Sequence, residues 1–178
     1  MTKISTNAEQ YFERYAYPDW LRTHSLVVGR IAETIAGAHR GAAELDTAAV
    51  GLAGYLHDIG KSPLLAGDAR QHNELSALVL AAEGLGGCVE PSRRHAVYSV
   101  RDPATAPRTL ADKIVYVADR RGGLRVQSVE ERARDQASRH PRYAEEIARD
   151  IPLALALERE VFADLPFAAN ELEAKLIS

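Results

Sequence analysis

Apolar residues recur along this chain at intervals of three and four, the period of an amphipathic helix, and rarely alternate as a half-buried strand requires. Trp20, Leu21, Val27, Val28, Ile31 and Ile35 form one such stripe. It predicts a helix over 19–39, with Pro18 ahead of its first turn and Gly41 past its end. A shorter helix is expected before it, over 5–16. Asp46 or Thr47 can cap a third helix that runs through alanine-rich sequence to His57. Asp68 and Gln71 resemble a capping pair, opening a fourth that continues through Glu83 and stops at Gly84. Further helices are expected over 91–100, 108–121, 125–139, 142–162 (kinked or broken at Pro152) and 166–177, with the loop RDPATAP at 101–107.

The expected fold is therefore all-α. Abundant Ala, Leu, Glu and Arg support it. With 178 residues, 46% of them hydrophobic, the chain can fill one core and is short for two. We expect one domain over 1–178, with the chemistry in a core at 18–125 and extra helices over 126–178. No internal repeat or low-complexity linker interrupts it.

Charge and cysteine content narrow the function. A net charge of −3 argues against a nucleic-acid polymer as partner, yet allows a small anion in a local basic pocket. The one cysteine, Cys88, can form no intrachain disulfide and suggests no oxidising compartment. The first twenty residues lack the apolar run of a signal peptide, and no uncharged apolar stretch approaches ~20 residues. A cytoplasmic protein with no membrane partner is expected.

Against that background the stretch GYLHDIGKSP at 54–63 is unusual. It sets His57 and Asp58 side by side at the inner end of an apolar helix, where unpaired polar groups are costly. Other ionisable residues fall on apolar faces too. His24 shares the stripe of Val28 and Ile31, His72 a face with Leu75 and Val79, and Asp119 ends the apolar run KIVYVAD. Each alone reads more readily as a hydrogen-bonded core residue, a surface residue or a cap than as a ligand. Together with His95 they give four histidines and two carboxylates near helix ends, and a bundle can converge such residues on one pocket. A metal ion would remove the cost of burying them. Mixed nitrogen and oxygen donors suit iron, manganese, cobalt or zinc better than magnesium.

The order of these residues is recognisable. His24, the pair His57-Asp58 followed by IGK, and Asp119 in VYVAD resemble the H…HD…D pattern of the HD-domain superfamily of metal-dependent phosphohydrolases. That resemblance implies a helical HD fold in which His24, His57, Asp58 and Asp119 hold one ion. In two-metal HD enzymes two more histidines stand between the pair and the last aspartate, as His72 and His95 do here. By that likeness they hold a second ion, Asp58 bridges both, and iron is favoured. Two such ions, roughly 3.5–4 Å apart, share a water, lower its pKa and aim it at phosphorus.

Among HD proteins the chain resembles the bacterial YqeK-like symmetrical bis(5'-nucleosyl)-tetraphosphatases, which cleave diadenosine tetraphosphate to two ADP. Size, RTHSLVVGRIAETIA around His24, and LADKIVYVADRRGGLR carry the likeness. It departs at Arg120-Arg121-Gly122-Gly123, where that family has an aromatic residue and then Ile-Glu-Pro, and at Ala96-Val97, where it favours Thr-Gly. The expected substrate is a small phosphorylated molecule of nucleotide type; a mononucleotide or small phosphate ester is the alternative. A non-catalytic nucleotide-sensing module is the reading from another class, and a homodimer is left open. Asp58 and Lys61 are the expected catalytic residues. Lys61, Arg22 and Arg125 are the expected substrate contacts, chosen from the arginines that crowd His95 and Asp119.

Overall fold

A computed structural model describes residues 2–176, and every regular element among them is helical. The α-helices are α1 (Lys3–Arg14), α2 (Asp19–Ala38), α3 (Thr47–Leu56), α4 (His72–Ala82), α5 (Gly86–Arg93), α6 (Leu110–Arg121), α7 (Val129–Arg139), α8 (Ala144–Ala163) and α9 (Leu172–Lys175). Short 3-10 turns occupy Ile59–Lys61, Val97–Arg101 and Pro141–Tyr143, among other connections. One hydrophobic cluster, running in sequence from Ala8 to Leu172, fills the space between them. No helix among the described residues is long and apolar enough to cross a membrane.

Caps set most boundaries. Thr2 accepts from the Ser5 amide and starts α1 earlier than the apolar pattern alone indicates. Asp46, rather than Thr47, caps α3. Thr109 with Asp112, and Ser128 with Glu131, form reciprocal capping boxes that open α6 and α7. Residues 125–128, expected inside the second of these helices, belong instead to a loop over 122–128 closed by the Gly122–Val126 bridge.

Other expectations fail for identifiable reasons. Asp68 does not open α4; it accepts from the Arg70 amide and guanidinium in a local turn, and the helix begins at His72. The helix expected over 91–100 lies at Gly86–Arg93, anchored by buried Cys88, and 97–101 is a 3-10 turn. Helix α8 continues through Pro152, because the Ala148 carbonyl deprived of its donor is on an exposed face where water can serve it. The segment expected as a helix over 166–177 holds only a 3-10 turn and α9, and residue 177 is outside the described residues. Trp20, assigned to the buried stripe of α2, is 53% exposed.

The contact that matters most for the site is α2 against α3. A Cβ on Gly54 would meet Ala32 Cβ at 2.6 Å and Gly29 Cα at 3.2 Å, so the helices approach as closely as glycine and alanine permit. That approach brings His24 on α2 to the end of α3, where His57 stands.

Candidate metal centre

His57 is the C-cap of α3 and is fully buried. Its Nδ1 donates to the carbonyl of Gly54 at 2.8 Å. His95, just past α5, donates from Nδ1 to the carbonyl of Ser92 at 2.5 Å. A carbonyl can only accept, so these bonds place the ring hydrogen on Nδ1 and leave Nε2 with a lone pair facing inward. His24 is turned the same way, its Nδ1 lying 3.4 Å from the carbonyl of Gly123.

The inward nitrogens meet the carboxylates in two sets. His24 Nε2 is 3.2 Å from His57 Nε2, 3.5 Å from Asp58 Oδ2 and 3.3 Å from Asp119 Oδ1. His57 Nε2 lies 3.4 Å and 3.8 Å from the same two oxygens. On the other side Asp58 Oδ1 is 3.2 Å from His95 Nε2 and 3.6 Å from His72 Nε2, and those two nitrogens are 3.3 Å apart. Ligands bonded at ~2.0–2.2 Å to a common ion stand about this far from one another. Three groups here could each hold a metal ion: His24, His57 and Asp58; Asp58, His72 and His95; and His57, His95 and Asp119, which joins the two sets.

The charges point the same way. Burial opposes the ionised form of Asp58, but Lys61, His57 and His24 outweigh it and hold the carboxyl well below its usual range. Asp119 is likewise held ionised against burial, chiefly by Arg120 and His24. Burial keeps His57 neutral, and burial with the nearby Lys61 charge does the same for His72. His24 is pushed up despite burial, because Asp119 and Asp58 both attract its proton. Asp58 Oδ1, buried and facing imidazole lone pairs, has no hydrogen-bond partner. Acceptors facing acceptors repel unless a cation joins them, so the residues present fit a metal.

A family model for the HD domain matches residues 21–122, more than half of the chain. The chain belongs to the HD-domain family. No curated protein and no solved structure matches it. HD domains are in general metal-dependent phosphohydrolases, and the matched span contains all six residues of the two donor sets.

Lys61 also reaches this HD centre. Its Nζ is 2.7 Å from Asp58 Oδ2, and it lines a cavity of about 90 Å³ with His72, His95, Asp119, Arg120 and Arg132. The other two expected substrate contacts are not brought there. Arg22 is bound to Glu9 and Glu13 on α1, which fixes α1 to α2. Arg125 is exposed and reaches only the neighbouring carbonyl of Val126, at 3.5 Å.

In their place stand Arg120, one of the arginines noted near Asp119, and Arg132, which no motif pointed to. Arg120 is buried and hydrogen-bonds Asp119 Oδ2, leaving Oδ1 toward the histidines. Arg132 projects from α7 with Nη2 3.9 Å from Asp119 Oδ1, and its Nε has no partner. One signal could have found it: Arg132 falls between Val129 and Ala133 on the buried face of α7.

Proposed function

We propose that this HD-domain protein is a phosphohydrolase with two transition-metal ions, acting on a phosphoester or phosphoanhydride of a nucleotide. The observation that carries the reading is the division of Asp58, with Oδ2 among His24, His57 and Asp119 and Oδ1 between His72 and His95. A carboxylate that offers one oxygen to each of two neighbouring nitrogen pairs would suit two ions, and the donor set suits iron, with manganese, cobalt and zinc as alternatives. When bound, the ions supply a water of lowered pKa and charge to offset that on the phosphoryl oxygens.

The chain's own residues do the rest. The carbonyls of Gly54 and Ser92 hold His57 and His95 in one tautomer. Arg120 turns Asp119 so that one oxygen faces inward. Lys61 and Arg132 put two positive charges on the wall of the cavity that a substrate phosphate enters. Arg132 is the stronger anion site of the two: it is nearly fully buried, and a buried guanidinium lacking full pairing gains most from a bidentate oxyanion. Lys61 can leave Asp58 for a phosphate oxygen as the carboxylate takes up its ligand role. Hydrolysis then forms a bond from water oxygen to phosphorus and breaks the bond to the leaving oxygen; the proton lost by the water passes to the leaving alkoxide of a phosphoester, or to solvent where the leaving group is itself a phosphate.

The test is metal analysis of protein purified without chelator, followed by a turnover screen of mononucleotides, small phosphate esters and diadenosine tetraphosphate. Close to two equivalents of metal with metal-dependent phosphate or ADP release is the expected result. Absence of both would overturn the enzyme reading.

A further inference from the structure

The 90 Å³ cavity at the metal centre does not end there. His72, Val97, Tyr98 and Gln136 line it and also line a pocket of about 580 Å³, within the ~300–1,000 Å³ range of small-molecule sites. The outer wall of that pocket is built largely by α7, α8 and the Pro141–Tyr143 turn between them, beyond the residues matched by the HD model. HD chemistry therefore stands at the inner end of a pocket that the C-terminal helices complete.

Its lining describes a planar ligand with N–H donors. Val97, Ile147, Tyr98 and Tyr143 give it an apolar and aromatic face among polar residues, which suits a flat ring with polar edges better than a polyhydroxyl chain. At the rim the Arg142 guanidinium lies 4.6 Å from the centre of the Tyr143 ring, a pair that can sandwich or extend an aromatic stack. At the base lies Asp150, 1% exposed. Neither of its carboxylate oxygens makes a hydrogen bond, although Arg101 Nε lies 3.0 Å from Oδ1 out of hydrogen-bond alignment. Arg101 also pairs with Glu146 at 3.2 Å. The carboxylates of Glu146 and Asp150 are acceptors only, and Arg101 lies between them as the group a ligand's N–H donors would displace.

We propose that this pocket binds the nucleoside of a nucleotide whose phosphate lies at the metal centre, with the base stacked on Tyr143 and its N–H edge toward Glu146 and Asp150. This rests on the phosphohydrolase reading for the phosphate end only. It makes a compound with one nucleoside beside the reacting phosphate the substrate class, and the C-terminal helices the specificity element.

The test uses the full, metal-loaded chain with nucleoside 5'-monophosphates, ribose 5-phosphate, and the Tyr143→Ala and Arg142→Ala variants. Both side chains lie at the rim, and thermal melts confirm that the variants fold. Tyr143→Ala is expected to raise KM for the nucleotide about tenfold, the scale of one lost base–aromatic stack, with kcat little changed. Its effect on ribose 5-phosphate should be smaller by a similar factor, and Arg142→Ala should follow the same pattern more weakly. Equal losses on both substrates, or none on either, would overturn the proposal. Equilibrium binding of the same monophosphates separates the two readings. If none of these monophosphates, nor diadenosine tetraphosphate, turns over but nucleotide binds in a Tyr143-dependent way, the hydrolase reading falls and the pocket stands. If turnover occurs without Tyr143-dependent discrimination, the pocket assignment falls alone.

Discussion

Gly60, two residues after Asp58, offers a perturbation whose size can be worked from the structure. A Cβ there would lie 2.1 Å from the carbonyl oxygen of His72, 2.8 Å from the Ser76 amide and 2.9 Å from Leu75 Cβ. Contact between non-bonded heavy atoms is comfortable at about 3.5 Å, so Gly60→Ala must move the start of α4 by more than ~1 Å. The obstacle is largely backbone, and no rotamer change can relieve it. Overpacking of this kind costs about 1–3 kcal/mol. In a chain of this length that lowers Tm by roughly 2–12 °C.

The displacement is also directional. It moves His72 away from Asp58 Oδ1 and breaks the Gly60 amide bond to Ser76 Oγ, 2.9 Å in the native chain, while His24, His57 and Asp119 belong to other elements. Gly60→Ala should therefore bind one ion normally and the second weakly. Thermal melts of the metal-free protein and metal content after dialysis against a mild chelator measure the two effects. Gly37→Ala is the matched control: nothing lies within 4 Å of its Cβ position on an exposed face of α2, and alanine there should add about 0.5–1 kcal/mol. A Gly60→Ala protein with unchanged Tm and full metal content would refute the claim that this glycine sets the approach of His72.

Three further expectations follow from the same geometry. His72→Ala should lose one ion and keep the other in metal analysis; retention of both would remove His72 from the ligand set. Glu158→Ala strips the buried Arg121 guanidinium of its carboxylate and should cost about 3–5 kcal/mol, read as a Tm fall of ~6 °C or more, whereas a near-neutral result would mean that Arg121 reaches water. Cys88 is buried and its thiol is pushed up to about 12 by burial with some help from Asp46, so iodoacetamide at neutral pH should label it only after denaturation.

What could be read from the chain alone differs between ligands and surroundings. Imidazoles and carboxylates on apolar faces are conspicuous, because burying them without a partner is costly; that singled out His24, His57, Asp58, His72, His95 and Asp119 as a candidate set, while the division of ligand roles came from the HD resemblance. Helix type was legible from period. Register at α5 was not: Gly86-Gly87-Cys88 reads as a loop, and only the burial of Cys88 against α3 makes it the start of a helix. Arginines were the least legible. From the sequence Arg22 and Arg125 read as better candidates than Arg120, and Arg132 not as one, since a long cationic side chain at a helix end carries no local sign of which way it turns. Direction came from partners distant in sequence: Glu9 and Glu13 take Arg22, while Arg132 has only Asp135 and the more distant Asp119.

The four residues at which the chain departs from its YqeK-like resemblance, Arg120-Arg121-Gly122-Gly123, show how such surroundings build a site. Arg120 binds the outer oxygen of Asp119, and Arg121 ties the end of α6 to Glu158 on α8 and to the carbonyl of Ala169. A Cβ on Gly122 would lie 2.4 Å from Val28 Cγ2, so glycine lets the end of α6 reach α2 one turn beyond His24. The carbonyl of Gly123 then faces His24 Nδ1. The segment thus does three things at once: it orients one candidate carboxylate ligand, positions one histidine, and fastens both to the helix that carries Asp150. An aromatic residue followed by Ile-Glu-Pro could not make the same contacts, because Gly122 has no room for a side chain. The candidate metal centre and the pocket wall are therefore one packing unit, and a change in this loop should alter both together.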